Sequence, residues 1–196
     1  MNVKELCDRI VELSHQPQDN PDSYERAFSW LNAAYAEIMN EILVVSPRSL
    51  CKTQTVKTNA QGYVQLDMRP FALVKVVFGG ADLPIVSPLF LLEADPAQTT
   101  VGEPQLVCAT FSGVQVQPRK EVCLNVNYIP QPEMLTENDD ENKILLPPEH
   151  HNALVWGALV WGALFERGFN SENELQLFRR QWCSSKHLVK LCALSA

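Results

Sequence analysis

Val155-Trp156-Gly157-Ala158-Leu159 is followed at once by Val160-Trp161-Gly162-Ala163-Leu164, and this doublet decides how the two ends of the chain are arranged. Pro147-Pro148 precedes it and predicts a helix start, because proline is tolerated in a first helical turn. Five residues turn a helix by roughly 500°, so the two copies face different directions. The helix is therefore apolar nearly all round between Ala153 and Phe165. Such a helix must be buried among partners. It is too short to span a membrane, which takes about 20 apolar residues. Gly157 and Gly162 each cost about 1 kcal/mol relative to alanine in a helix interior. That cost predicts a neighbour lying very close to the helix backbone.

The partners are legible on both sides. Downstream, Gly168 ends the helix, and Ser171 with Glu174 reads as a capping box opening a last helix to about Cys192. Lys186, His187 and Lys190 lie near its end, where positive charge suits the helix dipole. Leu188, Val189, Leu191 and Leu194 give this end an apolar stripe. At the other end of the chain, Val3, Leu6, Ile10 and Leu13 recur at three- and four-residue spacing, an amphipathic helix over residues 2 to 15. Gln16 to Pro21 breaks it. Asp22 and Glu25 then read as a second capping box. The helix that follows reaches about Leu43, with Tyr24, Phe28, Leu31, Tyr35, Ile38 and Ile42 on its apolar face. Each amphipathic helix needs a surface to cover its stripe. The expectation is one bundle made from both ends of the chain.

Ser46-Pro47 closes the first helical region, and the composition changes. Val64, Leu66 and Met68 alternate with Tyr63, Gln65 and Asp67, the period of a half-buried strand. Leu73 to Phe78 is an apolar run with one lysine, and Gly79-Gly80 supplies the positive backbone angles of a tight hairpin. Leu83 to Val86 is its expected return strand, and Leu89 to Ala94 one or two helical turns. Leu106 to Phe111, Val114 to Gln117 and Val122 to Ile129 are further strands, with turns at Ser112-Gly113 and Pro118-Arg119. In the last strand Val122, Leu124, Val126 and Tyr128 share one face. The fold class is α+β. A helical bundle of residues 1–46 and 147–196 carries an inserted antiparallel β-sandwich or barrel-like region over 47–130, with 131–146 as an acidic linking loop.

The chain has 196 residues, a formal net charge of −7 and a pI near 5.1. That balance excludes a surface built to bind nucleic acid, which needs clustered Lys and Arg. Charges in Met1-Asn-Val-Lys-Glu-Leu-Cys-Asp8 occupy the place where a signal peptide needs an apolar run, so export is not expected. The six cysteines, Cys7, Cys51, Cys108, Cys123, Cys183 and Cys192, form no C-x-x-C pair and read as small buried apolar residues.

Chemistry-bearing motifs are tested next. There is no nucleotide-binding glycine loop and no G-x-S-x-G elbow. Glu137, Asp139, Asp140 and Glu141 lack the turn glycine of a calcium loop and read as a solvated surface loop. His150-His151 point about 100° apart on a helix, so they do not readily share a metal, and Glu149 precedes the pair rather than lying between two histidines four apart. They read as the polar first turn of a buried helix. His15 has no acidic neighbour at ligand spacing, and Cys183 with His187 makes only two ligands. No nucleophile, base and orienting group can be named together. The expectation is no catalytic residue, no metal, no cofactor and no enzyme.

The order of segments carries a resemblance. Trp30-Leu-Asn-Ala-Ala-Tyr-Ala-Glu-Ile38 closes a helix pair. Gly62-Tyr-Val-Gln-Leu66, Leu73-Val-Lys-Val-Val77, Gly102-Glu-Pro104 and Val126-Asn-Tyr-Ile-Pro130 mark a β meander. An acidic loop and Leu146-Pro-Pro-Glu-His-His-Asn-Ala-Leu154 then lead to two closing helices. Over nearly its whole length the chain resembles the head-to-tail adaptor proteins of tailed bacteriophages. The resemblance implies a structural protein of the virion neck, made in the host bacterial cytoplasm. It implies a homo-oligomeric, dodecameric ring between the portal protein above and a neck or tail protein below, with DNA passing through the channel without specific binding and no membrane contact. It also implies that the C-terminal segment, with Lys186, Leu188, Val189, Lys190, Leu191 and Leu194, meets the portal. The bland reading of that stripe is that it closes the subunit's own bundle. A rival reading of the whole chain is a small-molecule or carbohydrate-binding β module with helical ends. A third is an unfamiliar enzyme using His150 or His151.

Overall fold

The computed structural model describes residues 1–17, 20–97, 99–165 and 172–195. Gly168 and Ser171, expected to stop one helix and cap the next, lie outside them. The chain divides into two compact units, Met1–Ser49 with Pro132–Ala196 and Leu50–Gln131.

The first unit is helical. Helix α1 (Val3–Leu13) begins at a capping box: the Asn2 side chain accepts from the Glu5 N–H at 2.8 Å, and Glu5 accepts from the Asn2 N–H at 3.1 Å. Helix α2 spans Pro21–Val45. Its cap is Asn20, whose side chain accepts from the Asp22 N–H at 3.0 Å, and not Asp22 as the S/T/D-x-x-E pattern predicts. Pro21 explains the shift: its fixed φ suits the first helical position, which moves the start two residues earlier.

Helices α4 (His151–Phe165) and α5 (Glu172–Ser195) complete the unit, and α4 packs on α1, α2 and α5. The glycine expectation holds here. A Cβ on Gly157 would lie 2.8 Å from the Ala34 Cβ and 2.9 Å from the Trp182 ring, and one on Gly162 would lie 2.7 Å from the Trp30 ring. Gly157 opposite Ala34 and Gly162 opposite Trp30 also show that α2 and α4 run in opposite directions. The N- and C-terminal helices thus pack together, on a core that includes Leu6, Ile10, Leu31, Ile38, Leu154 and Leu159.

Residues 132–146 are acidic outside and anchored inside. Leu135, Ile144 and Leu146 are buried. The buried Asn32 on α2 accepts from the Leu135 N–H at 2.8 Å, and its amide lies 3.3 Å from the Leu135 carbonyl oxygen. The sequence reading of a solvated loop holds for the carboxylates Glu137, Asp140 and Glu141, which are exposed, but misses these anchors.

The second unit holds two antiparallel sheets. Strands β1 (Lys52–Lys57), β7 (Cys123–Pro130), β3 (Pro70–Phe78) and β4 (Ala81–Asp82) form one in the order β1-β7-β3-β4. Strands β2 (Tyr63–Gln65), β6 (Gly113–Gln117) and β5 (Leu106–Ala109) form the other in the order β2-β6-β5. A short helix α3 (Pro88–Ala94), capped by Ser87, lies between β4 and β5 in sequence. Gly79 and Gly80 have φ of 57° and 84° and turn β3 into β4, as the sequence predicts. The return strand lies at Ala81–Asp82 and not at Leu83–Val86: the Leu83 N–H still donates to the Val76 carbonyl at 2.9 Å, and the chain then turns to β5, with Ile85 bridging Val107. Both sheets contribute to one core, with Val56, Val76, Leu124, Val126 and Tyr128 from the first and Val107, Val114 and Val116 from the second. The fold class is α+β with two small antiparallel sheets inserted between the terminal helices.

Candidate interaction surface

Helix α5 is amphipathic twice over. Phe178, Trp182, Val189 and Ala193 are buried at spacings of four, seven and four, the stripe that faces the bundle. The Trp156 and Phe178 rings stand 6.1 Å apart at 31°. A second set of apolar side chains faces solvent: Leu177, Leu188, Leu191 and Leu194, the last three 57%, 49% and 61% exposed. Residues 177 and 188 are eleven apart, three helical turns, so they point the same way.

The six residues expected to meet a partner are divided by the structure. Val189 is in the core, and Leu188, Leu191 and Leu194 are on the surface. Lys186 and Lys190 are engaged inside the subunit. Lys186 Nζ lies 2.5 Å from Glu37 Oε1 and 2.8 Å from Glu41 Oε1, and Lys190 pairs with Glu41 Oε2. The Trp161 indole N–H donates to Glu37 Oε2 at 3.0 Å. Burial pushes the Glu41 carboxyl up, but hydrogen bonds from Lys186 and Lys190 outweigh it and hold it below its ordinary value. Burial likewise depresses the Lys186 ammonium, and its bonds to Glu37 and Glu41 outweigh that and raise it. Two lysines and two glutamates therefore fasten α5 to α2 and cancel each other's charge.

The end of α2 extends this surface. Ser46 Oγ donates to the Ala193 carbonyl at 2.8 Å, which brings the two helix ends together. Val44 is 84% exposed there, and Val45 is also exposed. Asn40, Glu41, Val44, Val45 and Lys190 line a groove of about 300 Å³. The sequence reading missed the two valines because it ended α2 near Leu43. The signal was present: an apolar pair ahead of Ser46-Pro47 prolongs the helix while lying off its buried face.

A larger cavity, about 820 Å³, lies against α1 and the start of α2, lined by Glu5, Asp8, Arg9, Val11, Glu12, Leu13 and Tyr24. Beside it, burial pushes the Cys7 thiol up to about 12, with Asp8 and Glu137 adding to the shift and a bond to Tyr24 opposing it. Burial, with the same acidic neighbours, also raises the Tyr24 phenol.

The histidines are placed as follows. His151 is fully buried rather than forming a polar first turn, with its Nδ1 3.1 Å from the Met1 carbonyl oxygen and its Nε2 3.0 Å from the Leu146 carbonyl oxygen. His150 is half-buried, and the exposed His15 pairs with Glu174 at 3.5 Å. Among the described residues no group of three or more His, Cys, Asp or Glu is placed to hold a metal. The cysteines depart from expectation: Cys7 and Cys108 are buried, but Cys51, Cys123, Cys183 and Cys192 are exposed. No helix among the described residues is long and apolar enough to cross a membrane.

Charge is unevenly divided. The β unit has six Lys and Arg against six Asp and Glu, while the helical unit has ten against seventeen, so the whole net charge of −7 belongs to the helices.

A search of curated proteins finds no match to the chain. A family model described as SU10 adaptor protein matches residues 1–182, all five helices in part or whole and both sheets. Membership of an adaptor family implies a structural, non-enzymatic role among neighbouring virion proteins. On that match the chain belongs to the SU10 adaptor protein family, a family of phage head-to-tail adaptors.

Proposed function

We propose that the protein is the head-to-tail adaptor of a tailed phage, a dodecameric ring of its own copies docked beneath the portal, lining the channel through which DNA leaves the capsid. The family match over residues 1–182 carries this reading. The portal-facing element is the exposed face of α5, Leu188, Leu191 and Leu194, continued by Val44 and Val45 at the end of α2. This face lies largely beyond the matched residues, so its support is its own chemistry. Exposed apolar side chains of this kind, on a helix anchored by a second stripe, make the buried centre of an interface. Lys186 and Lys190 hold the helix in place and leave the leucines to make the contact. A downstream neck or tail protein meets the opposite end of the ring. The protein assembles in the host bacterial cytoplasm and resides in the virion.

The test mixes the protein with its cognate portal and looks for a ring by electron microscopy. Leu188→Glu combined with Leu194→Glu leaves Val189 and Ala193 untouched, so the subunit stays folded with an unchanged melt. Docking is expected to weaken at least tenfold. Undiminished docking by that folded variant would remove α5 from the interface. No ring with wild-type protein at any portal concentration would overturn the adaptor reading.

A further inference from the structure

Helices α2 and α4 form an antiparallel pair at the middle of the helical unit, with Gly157 against Ala34 and Gly162 against Trp30. Helix α1 packs on both of them, and so does α5. Among the described residues α1 and α5 share no packing face, and the His15–Glu174 pair at 3.5 Å joins only their ends. Two helices that each fill a groove of one pair without packing together lie on opposite sides of it. The outward faces of α1 and α5 therefore point away from each other.

Those two faces carry opposite charge. On α1, Glu5, Asp8 and Glu12 are exposed at spacings of three and four, which makes one stripe along the helix. They line the cavity of about 820 Å³ together with Val11, Leu13 and Tyr24. Arg9, also at its wall, donates to the Asn152 side chain. Burial, the neighbouring Cys7, and the charges of Glu137 and Asp8 all raise the Tyr24 phenol, the last two being the negative field of the groove. On α5, Arg179 and Arg180 are both exposed. The ion pairs of this helix are made by Glu174, Lys186 and Lys190, and among the described residues neither arginine takes part in one.

We propose that Arg179 and Arg180 of one copy seat in the α1 groove of the next, against Glu5, Asp8 and Glu12, as the copy-to-copy contact of the ring. This contact presupposes the ring reading given above and names the surfaces that would close it. A cyclic ring of more than two identical copies is held by two unlike surfaces, one on each side of every copy. Opposite faces of opposite charge meet that requirement. The chemistry matches as well. A guanidinium presents N–H donors in a planar fork that binds carboxylates two bonds at a time. Val11, Leu13 and Tyr24 offer the arginine stems an apolar wall. Glu5 to Glu12 spans about 10 Å at about 1.5 Å per residue, and adjacent arginines about 100° apart spread over such a length. Both faces lie within the matched residues 1–182, whereas Leu188, Leu191 and Leu194 lie beyond them. Helix α5 thus meets the next copy with its first half and the portal with its second.

The test uses the full chain on its cognate portal, with closed rings counted by electron microscopy as the concentration is varied. One variant carries Arg179→Glu and Arg180→Glu. The other carries Asp8→Arg and Glu12→Arg, and leaves the Glu5 cap intact. All four side chains are exposed, so unchanged melts are expected. Each variant alone is expected to need about tenfold more protein, or greater, to close a ring, because like charges then face each other. An equal mixture of the two is expected to recover wild-type assembly, since alternating copies restore an attractive pair at every contact of an even-numbered ring. Should the α1 reversal fail to fold, Asp8→Asn with Glu12→Gln takes its place and is expected to weaken assembly several-fold. Rings formed by either folded variant at the wild-type concentration, or no recovery in the mixture of reversals, would overturn this contact and leave the ring reading standing. No ring with wild-type protein would remove the ring reading and this contact with it.

Discussion

Gly157 sits where α4 meets both Ala34 and Trp182, and the two effects of adding a methyl group there oppose each other. Alanine gains about 1 kcal/mol of helix propensity over glycine. The added Cβ would stand 2.8 Å from the Ala34 Cβ, which is fixed to the α2 backbone and does not swing aside. Overpacking of this kind costs about 1–3 kcal/mol. The steric effect wins, and Gly157→Ala is expected to be destabilising, with a thermal midpoint lowered by a few degrees at about 2–4 °C per kcal/mol. A raised midpoint would mean that α2 and α4 are not in contact at this point. Lys186 makes a second case, in which the sign depends on pH. Its partner Glu41 has a depressed carboxyl, so that part of the stability is complete above the ordinary carboxylate range and is lost as pH falls through the depressed value. The raised Lys186 ammonium contributes below its ordinary value and fades only as pH climbs through the raised one. Lys186→Met is expected to cost about 1–2 kcal/mol near neutrality, discounted for the partial exposure of the pair. Denaturant melts from neutral to acid pH should show a shallower loss of stability in the variant, because Glu41 then has only Lys190 to hold its charge.

At the scale of elements, the start of α2 separates two readings of the same six residues. The sequence pattern nominates Asp22 and Glu25, and the structure assigns the cap to Asn20. Loss of a cap costs about 1 kcal/mol. Asn20→Ala is therefore expected to lower stability by about that amount, and Asp22→Ala by a few tenths through the helix dipole alone. Equal effects in parallel urea melts would contradict the assignment. The helices were legible because a 3.6-residue apolar period and the all-apolar doublet at 155–164 leave few other arrangements. The hairpin at Gly79-Gly80 was legible from glycine's positive backbone angles, and the buried face of β7 from the two-residue spacing of Leu124, Val126 and Tyr128. Strand β1 was not: Lys52-Thr-Gln-Thr-Val-Lys57 has one buried residue, Val56, and earns its place by pairing with β7 across Lys52↔Tyr128 to Lys57↔Cys123. Backbone pairing with a distant segment leaves little trace in local hydropathy. The anchors of residues 132–146 escaped because Leu135, Ile144 and Leu146 are scattered through acidic chain without a period. On the candidate surface, the α5 stripe was visible as a run of leucines and valine. Which members face inward is fixed by the position of α2 and α4, which local spacing does not specify.

For the whole molecule, charge is the property that bears on an adaptor's task. The protein carries −7 overall, all of it on the helical unit, and the β unit is balanced. Five of the eight lysines pair with carboxylates: Lys186 and Lys190 with Glu37 and Glu41, Lys57 with Glu121, Lys75 with Asp82, and Lys120 with Glu103. Binding to duplex DNA without sequence preference rests on neutralising several phosphates at once and releasing their counterions. A surface with most of its lysines paired to carboxylates and a negative net charge is poorly suited to that. A negative surface of this kind repels the phosphate backbone at short range, as the DNA channel proposed above would require. The isolated protein is therefore expected not to retard duplex DNA in a gel even at about 50 mM salt, where electrostatic binding is strong. A shifted band that disappears on raising the salt to about 200 mM would identify a basic face and count against a passive DNA channel. The prediction is specific to the charge distribution and independent of the oligomeric state, since assembling identical copies multiplies the net negative charge and adds no new cation.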